Sequence, residues 1–256
     1  MDRFLILGAY GFLGFEISCA ALERGYIVYH LDRSDSKNDA VFEEKQLLIG
    51  RNSNFQVVDE QLLTQLEEEI QIVIPIYDWA GYREEQKVEM QQQMSSLFHL
   101  LDHKNISFLL PIQEKANFLD WLEEVDFSGR SWRIFFYPQL YGKWLPPSSI
   151  LYQLFKENSE ENVLEGQRTD AFEIIDVQKA SEKTMNVLET KDEGFFLLTT
   201  QDDDKVGETI RTIQENFVSK VSEERKEIIL LYVEEKKLDL MEWNELKEFI
   251  HSTSKD

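Results

Sequence analysis

The sequence is short of several things. It has one cysteine, Cys19, so no disulfide can close within the chain, and a reducing compartment, the cytoplasm, is expected. Basic residues are scarce: 27 Lys and Arg face 49 Asp and Glu, for a net charge of -22. A surface of that sign repels polyanions, which argues against nucleic acid and anionic membrane as partners. No apolar run approaches the roughly 20 residues of a membrane-spanning helix. The N-terminal apolar run is broken by glycines and diluted by Asp2, and does not read as a signal peptide. What is present suffices for a globular fold. Hydrophobic residues make up 42% of 256, enough for one large domain or one domain with a small appendage.

Three glycines stand together at Gly8, Gly11 and Gly14. Before them, Phe4-Leu5-Ile6-Leu7 reads as a strand buried on both faces. After them, Phe12, Leu13, Ile17, Ala20 and Ala21 recur at helical spacing. Gly25 punctuates, and Tyr26 to Leu31 reads as a second strand ending at Asp32. In such a βαβ unit Gly8 allows the tight turn, Gly11 lets backbone approach a pyrophosphate, and Gly14 lets the helix pack closely. Phosphates would rest on the N–H groups at the helix N-terminus, contributed around Tyr10, Phe12 and Leu13. Asp32 closes the second strand where a carboxylate can bind an adenosine ribose. A tight turn that binds nothing is the plainer alternative.

The G-x-x-G-x-x-G spacing, with Asp32 beyond it, resembles the extended short-chain dehydrogenase/reductase superfamily, and within it the NAD-dependent epimerase/dehydratase family of sugar-nucleotide enzymes. The resemblance implies an α/β fold: a Rossmann-like doubly wound parallel sheet in strand order 3-2-1-4-5-6, with a small C-terminal α/β substrate-side segment. It implies NAD as cofactor, with NADP disfavoured because Asp32 would repel a 2′-phosphate; Arg33, directly after it, could soften that preference or be a plain loop charge. A nucleotide-sugar would be the second ligand. The expected divisions are a dinucleotide-binding domain over 1–145, a reduced substrate-side segment over 146–217, and a helical extension over 218–256.

Further along, "IQIVIPIYDWAGYR" resembles the family's fourth strand and the loop after it, with Ala80, Gly81 and Arg83 in place. Tyr77 and Asp78 stand where the family has two small residues. There they would crowd the cofactor and repel its phosphates, or else point away into the loop. The helix after it carries His99 and His103 four apart, a spacing that two metal ligands could share. With no third ligand apparent, no metal is expected.

Ile106 to Ile112 reads as the next strand. The resemblance implies a serine after it and then a Tyr-x-x-x-Lys pair, the tyrosine as general acid/base and the lysine lowering its pKa. Here Pro111, Ile112, Gln113 and Glu114 supply no hydroxyl, and Lys115 has Pro111 at the tyrosine's place. The apolar strand from Trp132 begins only about twenty residues on, so the catalytic segment reads as deleted and the chain as an atypical member lacking the pair. The pattern then resumes with Tyr141 and Gly142, the "FEIIDV" stretch and a strand at Gly194 to Thr200. Remaining acid/base candidates are Tyr10, Tyr77, Asp78, Tyr82, Glu114, Tyr137 and Tyr141. Tyr77 and Asp78 are favoured for their place beside the cofactor, with Lys115 or Lys143 as helpers. Trp243, Leu246, Phe249 and Ile250 share a face of a C-terminal helix, suited to the domain's own core or to a homodimer or partner contact. Two functions remain: a dinucleotide-binding or regulatory protein without the standard catalysis, or an active reductase or epimerase with replaced acid/base residues.

Overall fold

A computed structural model describes residues 3–31, 40–59, 70–79, 85, 88, 92, 94, 105–112, 131–156, 173–190, 192–200, 209–211, 213 and 228–233. Within these, ten strands form: β1 (Arg3–Leu7), β2 (Ile27–Leu31), β3 (Phe55–Val58), β4 (Ile70–Ile74), β5 (Asn105–Pro111), β6 (Trp132–Tyr137), β7 (Gln139–Tyr141), β8 (Ile174–Asp176), β9 (Gly194–Thr199) and β10 (Ile228–Tyr232). The helices are α1 (Phe12–Glu23), α2 (Ala40–Ile49), α3 (Ile150–Lys156) and α4 (Val177–Leu188), with a 3₁₀ turn at Ile76–Trp79.

Eight strands make one sheet in the order β10-β9-β6-β5-β4-β1-β2-β3, and β7 and β8 pair separately. Every pairing is parallel. The expected order 3-2-1-4-5-6 is therefore present, extended by β9 and β10. The apolar run Ile228–Tyr232, in the segment read as a helical extension, joins the sheet as an edge strand beside β9. The C-terminal helix carrying Trp243, and the helix carrying His99 and His103, lie outside the described residues.

Side chains on successive strand positions point to opposite faces, and the core divides accordingly. Phe4 and Ile6 of β1 join Phe135 and Tyr137 of β6 on the face that α1 and α4 cover. Leu5 and Leu7 join Ile134 and Phe136 on the other face. Burial on both faces explains why these strands read as unbroken apolar runs. Each such side chain contributes about 1.5–3 kcal/mol on leaving water.

Helix α1 is buried nearly all round because it lies between the sheet and α4. The helix α4 is held at its start by Asp176, whose carboxylate accepts from the N–H groups of Gln178 and Lys179 at 2.9 and 3.0 Å. Helix α1 has no such residue of its own: its N-cap is Gly11, which lacks a side chain.

Candidate functional site: a glycine cradle and the carboxylate within it

At the C-terminal end of β1 the chain turns on Gly8, whose φ of +95° only glycine adopts without strain. The Gly11 N–H donates to the Gly8 carbonyl at 2.9 Å, closing the turn. A Cβ on Gly14 would lie 2.3 Å from the Gly8 carbonyl oxygen, so glycine is needed there for helix α1 to sit against β1. These two glycines do what the sequence suggests.

Gly11 has a different neighbour. A Cβ there would lie 2.0 Å from Oδ2 of Asp78 and 2.7 Å from its Cγ. The Asp78 carboxylate reaches over from the turn after β4 and accepts from the Leu13 N–H at 2.7 Å (Oδ1) and the Gly14 N–H at 2.9 Å (Oδ2). These are among the free N–H groups with which this type of helix start holds a phosphate. Asp78 thus points into the cradle, not away into the loop. Burial pushes its pKa up to about 6, opposed by the hydrogen bonds from Leu13 and Gly14 and by the charge of Lys45.

The cradle's outer side is held by Lys45 of α2, only 3% exposed. Its ammonium donates to the carbonyls of Tyr10 and Gly11 at 3.1 and 2.7 Å. It also lies 5.3 Å from the ring centroids of both Phe15 and Trp144. Next to it on α2, Glu44 accepts from Lys143 at 2.9 Å and from the Trp144 indole at 3.1 Å, which lower its pKa. Trp144 itself has a positive φ of 62°. One turn into α1, Glu16 is buried, and burial pushes its pKa up to about 7 against the attraction of Lys45.

Sequence reading missed Lys45, although a signal exists. Val41, Lys45 and Ile49 fall at i, i+4 and i+8 on α2, so a lysine occupies the inward stripe of an amphipathic helix.

The other expected residues fall as follows. Tyr10 turns its ring into an aromatic group, 4.8 Å from His30, 4.8 Å from Phe42 and 5.7 Å from Phe55. Phe12 and Leu13 bury their side chains in the core, leaving only their backbone to the cradle. Tyr77 sits beside Asp78, but its hydroxyl accepts from the Leu140 N–H at 2.8 Å, and burial drives its pKa upward. Tyr137 is fully buried, its hydroxyl 2.6 Å from that of Thr184. Thr184 spends its one proton on the Ala180 carbonyl, so Tyr137 is the donor of this pair. Tyr141 lies partly buried against the α1 side of the core. Asp32, Arg33, Ala80, Gly81, Tyr82, Arg83, Glu114 and Lys115 lie outside the described residues. Among the described residues no group of three or more His, Cys, Asp or Glu could hold a metal.

One sequence reading needs correction. Tyr-x-x-x-Lys does occur in this chain, at Tyr152 and Lys156 and again at Tyr232 and Lys236. Both lie beyond β6, the first on α3 and the second starting at the end of β10, and not between β5 and β6 where the resemblance places the pair. Tyr152 is 8% exposed and belongs to the apolar cluster with Trp144, Leu145 and Leu151.

No family model matches the sequence, and no curated protein matches it. Solved structures do. Vestitone reductase from alfalfa superposes with a TM-score of 0.59 at 13% identity, covering 99% of each chain. UDP-glucose 4-epimerase from Thermotoga maritima, with UDP-glucose, gives 0.57 at 15% identity over 99% of this chain and 100% of that one. UDP-glucose 4-epimerase from Bifidobacterium longum, in complex with NAD+ and UDP, gives 0.57 at 13% identity over 98% of each. Among the described residues no helix is long and apolar enough to cross a membrane. With its parallel sheet, glycine turn and near-complete coverage of these structures, the chain has their Rossmann-like α/β fold.

Proposed function

We propose that this chain is an NAD-binding protein of that fold which works as a dinucleotide-responsive or regulatory protein without the standard proton relay. The observation that supports this reading most directly is the start of α1. Its N–H groups hold two anionic oxygens, those of Asp78, at 2.7 and 2.9 Å, in a cradle whose glycines leave room for them. A dinucleotide's diphosphate offers the same kind of oxygens, and the B. longum epimerase was crystallised with NAD+. The glycine cradle fits that group once the carboxylate is out of it; with Asp78 in place, the two compete for one set of donors. The preference for NAD over NADP rests on Asp32. The missing relay rests on the short connection after β5, which contains no tyrosine. A homodimer or protein partner would use the C-terminal helix.

The test is titration of the purified protein with NADH and NADPH, followed by nicotinamide fluorescence and thermal shift, across about pH 5.5 to 8. Saturable binding, tighter for NADH, is the expected result. No binding at any pH in that range would overturn the reading.

A second reading is an active reductase or epimerase on a nucleotide-linked sugar. The specific observation in its favour is the Tyr152 and Lys156 spacing, one turn apart on α3. Incubation with NAD(H) or NADP(H) and a panel of nucleotide-sugars tests it; turnover at about 1 per second or faster is that of an ordinary enzyme.

A further inference from the structure

We infer that Asp78 is a built-in competitor for the diphosphate of any nucleotide taken at the glycine cradle, and that its ionisation sets how readily the cradle opens. This rests on the dinucleotide-binding reading above and adds its regulation.

The geometry makes occupation exclusive. Both carboxylate oxygens are engaged, Oδ1 by the Leu13 N–H and Oδ2 by the Gly14 N–H. The space beside Gly11, through which a diphosphate's oxygens would approach, is filled by the same carboxyl group. A diphosphate on those N–H groups would meet a like charge within hydrogen-bonding distance of its own donors. The carboxylate also supplies from across the sheet the cap that Gly11 cannot, so displacing it costs hydrogen bonds that the incoming ligand must replace.

The turn that carries Asp78 is fixed on both sides. Ile76 and Trp79 are buried in the core of the opposite face, and the Tyr77 hydroxyl is bonded to the Leu140 backbone. Opening is therefore the swing of one side chain and not the movement of the turn.

The titratable and charged groups facing Asp78 among the described residues are Lys45 from α2, Tyr77 beside it and Tyr137 from β6. Glu16 of α1 couples to Lys45. Both tyrosines have their pKa driven upward by burial and stay neutral, and Lys45 is held on two carbonyls. Asp78 and Glu16 both change charge between mildly acidic and neutral solution, burial having pushed them up to about 6 and about 7, and of the two it is Asp78 that occupies the Leu13 and Gly14 N–H groups. Above about 6 Asp78 is an anion and competes fully. Below it, the neutral acid accepts more weakly and no longer repels a phosphate.

The experiment compares NADH binding by the wild-type chain, Asp78→Ala and Asp78→Asn at about pH 5.5 and pH 8. Asp78→Asn keeps an acceptor for one N–H and guards against loss of folding in the alanine variant. The expected result is wild-type binding at least about tenfold weaker at pH 8 than at pH 5.5. Both variants should be at least about tenfold tighter than wild type at pH 8, with the larger part of the pH dependence gone. Wild-type binding at pH 8 as tight as that of the variants overturns the competitor while leaving the dinucleotide reading standing. Binding by the variants alone sinks that reading for the native chain and supports the competitor. Should no form bind NADH, the dinucleotide reading fails, and inorganic pyrophosphate decides the remainder. Shifts of the Leu13 and Gly14 amide resonances in the variants, and not in wild type at pH 8, support the competitor; their absence overturns it.

Discussion

Gly11 and Asp78 share one small volume: the Cβ that any larger residue at 11 would carry falls 2.0 Å from Oδ2 of Asp78. The backbone of Gly11, at φ -61°, would suit alanine, so the demand for glycine there is set by a side chain 67 positions further along (78 − 11). Gly11→Ala should cost about 1–3 kcal/mol through overpacking. In the Asp78→Ala background that added cost should largely vanish. Urea unfolding of the two single variants and the double gives the coupling; simple additivity would refute the shared volume. Gly14→Ala serves as the contrast, since its obstacle is the Gly8 carbonyl and no side-chain change relieves it.

Glu16 gives the fold an acid-side bias. Burial raises its folded-state pKa to about 7, above the ordinary glutamate value of 4.5. The folded chain then binds its proton more tightly than the unfolded chain does. Its contribution is fully present below the unfolded value and is lost as pH rises from there through about 7. Asp78 adds a bias of the same sign that ends near 6. Glu16→Gln should flatten the fall in stability between about pH 5 and pH 8, with a gain on the order of 2 kcal/mol at the upper end. Denaturant midpoints across that range measure it; an unchanged slope would count against the buried, protonated glutamate.

The Tyr137 hydroxyl donates to Thr184 in a fully buried setting. Thr184→Val leaves that O–H without an acceptor and should cost about 1–3 kcal/mol, while Tyr137→Phe should cost about 0.5–1.5. Combined, the two should cost less than their sum, because neither polar group is then left stranded. Thermal unfolding of the three variants tests this, and a fully additive double variant contradicts it.

Neither Tyr77→Phe nor Tyr152→Phe is expected to alter any slow turnover of nucleotide-sugars, because Tyr152 is buried in the core, and Tyr77 packs against that core with its Oη held by backbone. Activity at about 1 per second or faster that either substitution abolishes would make the chain an enzyme of replaced residues.

The fold was legible because its signals are local. Unbroken apolar runs such as Phe4–Leu7 and Ile72–Ile74 reveal doubly covered strands, and Gly8 and Gly14 act within a few residues of themselves. The contents of the cradle were not legible, because they depend on a side chain choosing between two directions. Sequence placed Asp78 beside the glycine loop, but only three-dimensional packing turns its carboxylate onto Leu13 and Gly14. Lys45 was hidden by its charge: a lysine on an inward helical stripe is easily passed over as solvated. The Tyr-x-x-x-Lys spacings at Tyr152 and Tyr232 are obscured by their place in the chain, after β6, where the resemblance expects the pair before it.

The cap of α1 also bears on how the chain assembles. Hydrogen-bonding partners for Leu13 and Gly14 come from 65 and 64 residues away, from the turn that follows β4. A nascent chain that has made only β1, α1 and β2 has a helix whose first turn is unfinished. That turn locks when β4 docks beside β1 and brings Asp78 with it. The first βαβ unit and the middle of the sheet are thereby tied into one element by a contact between distant parts of the chain.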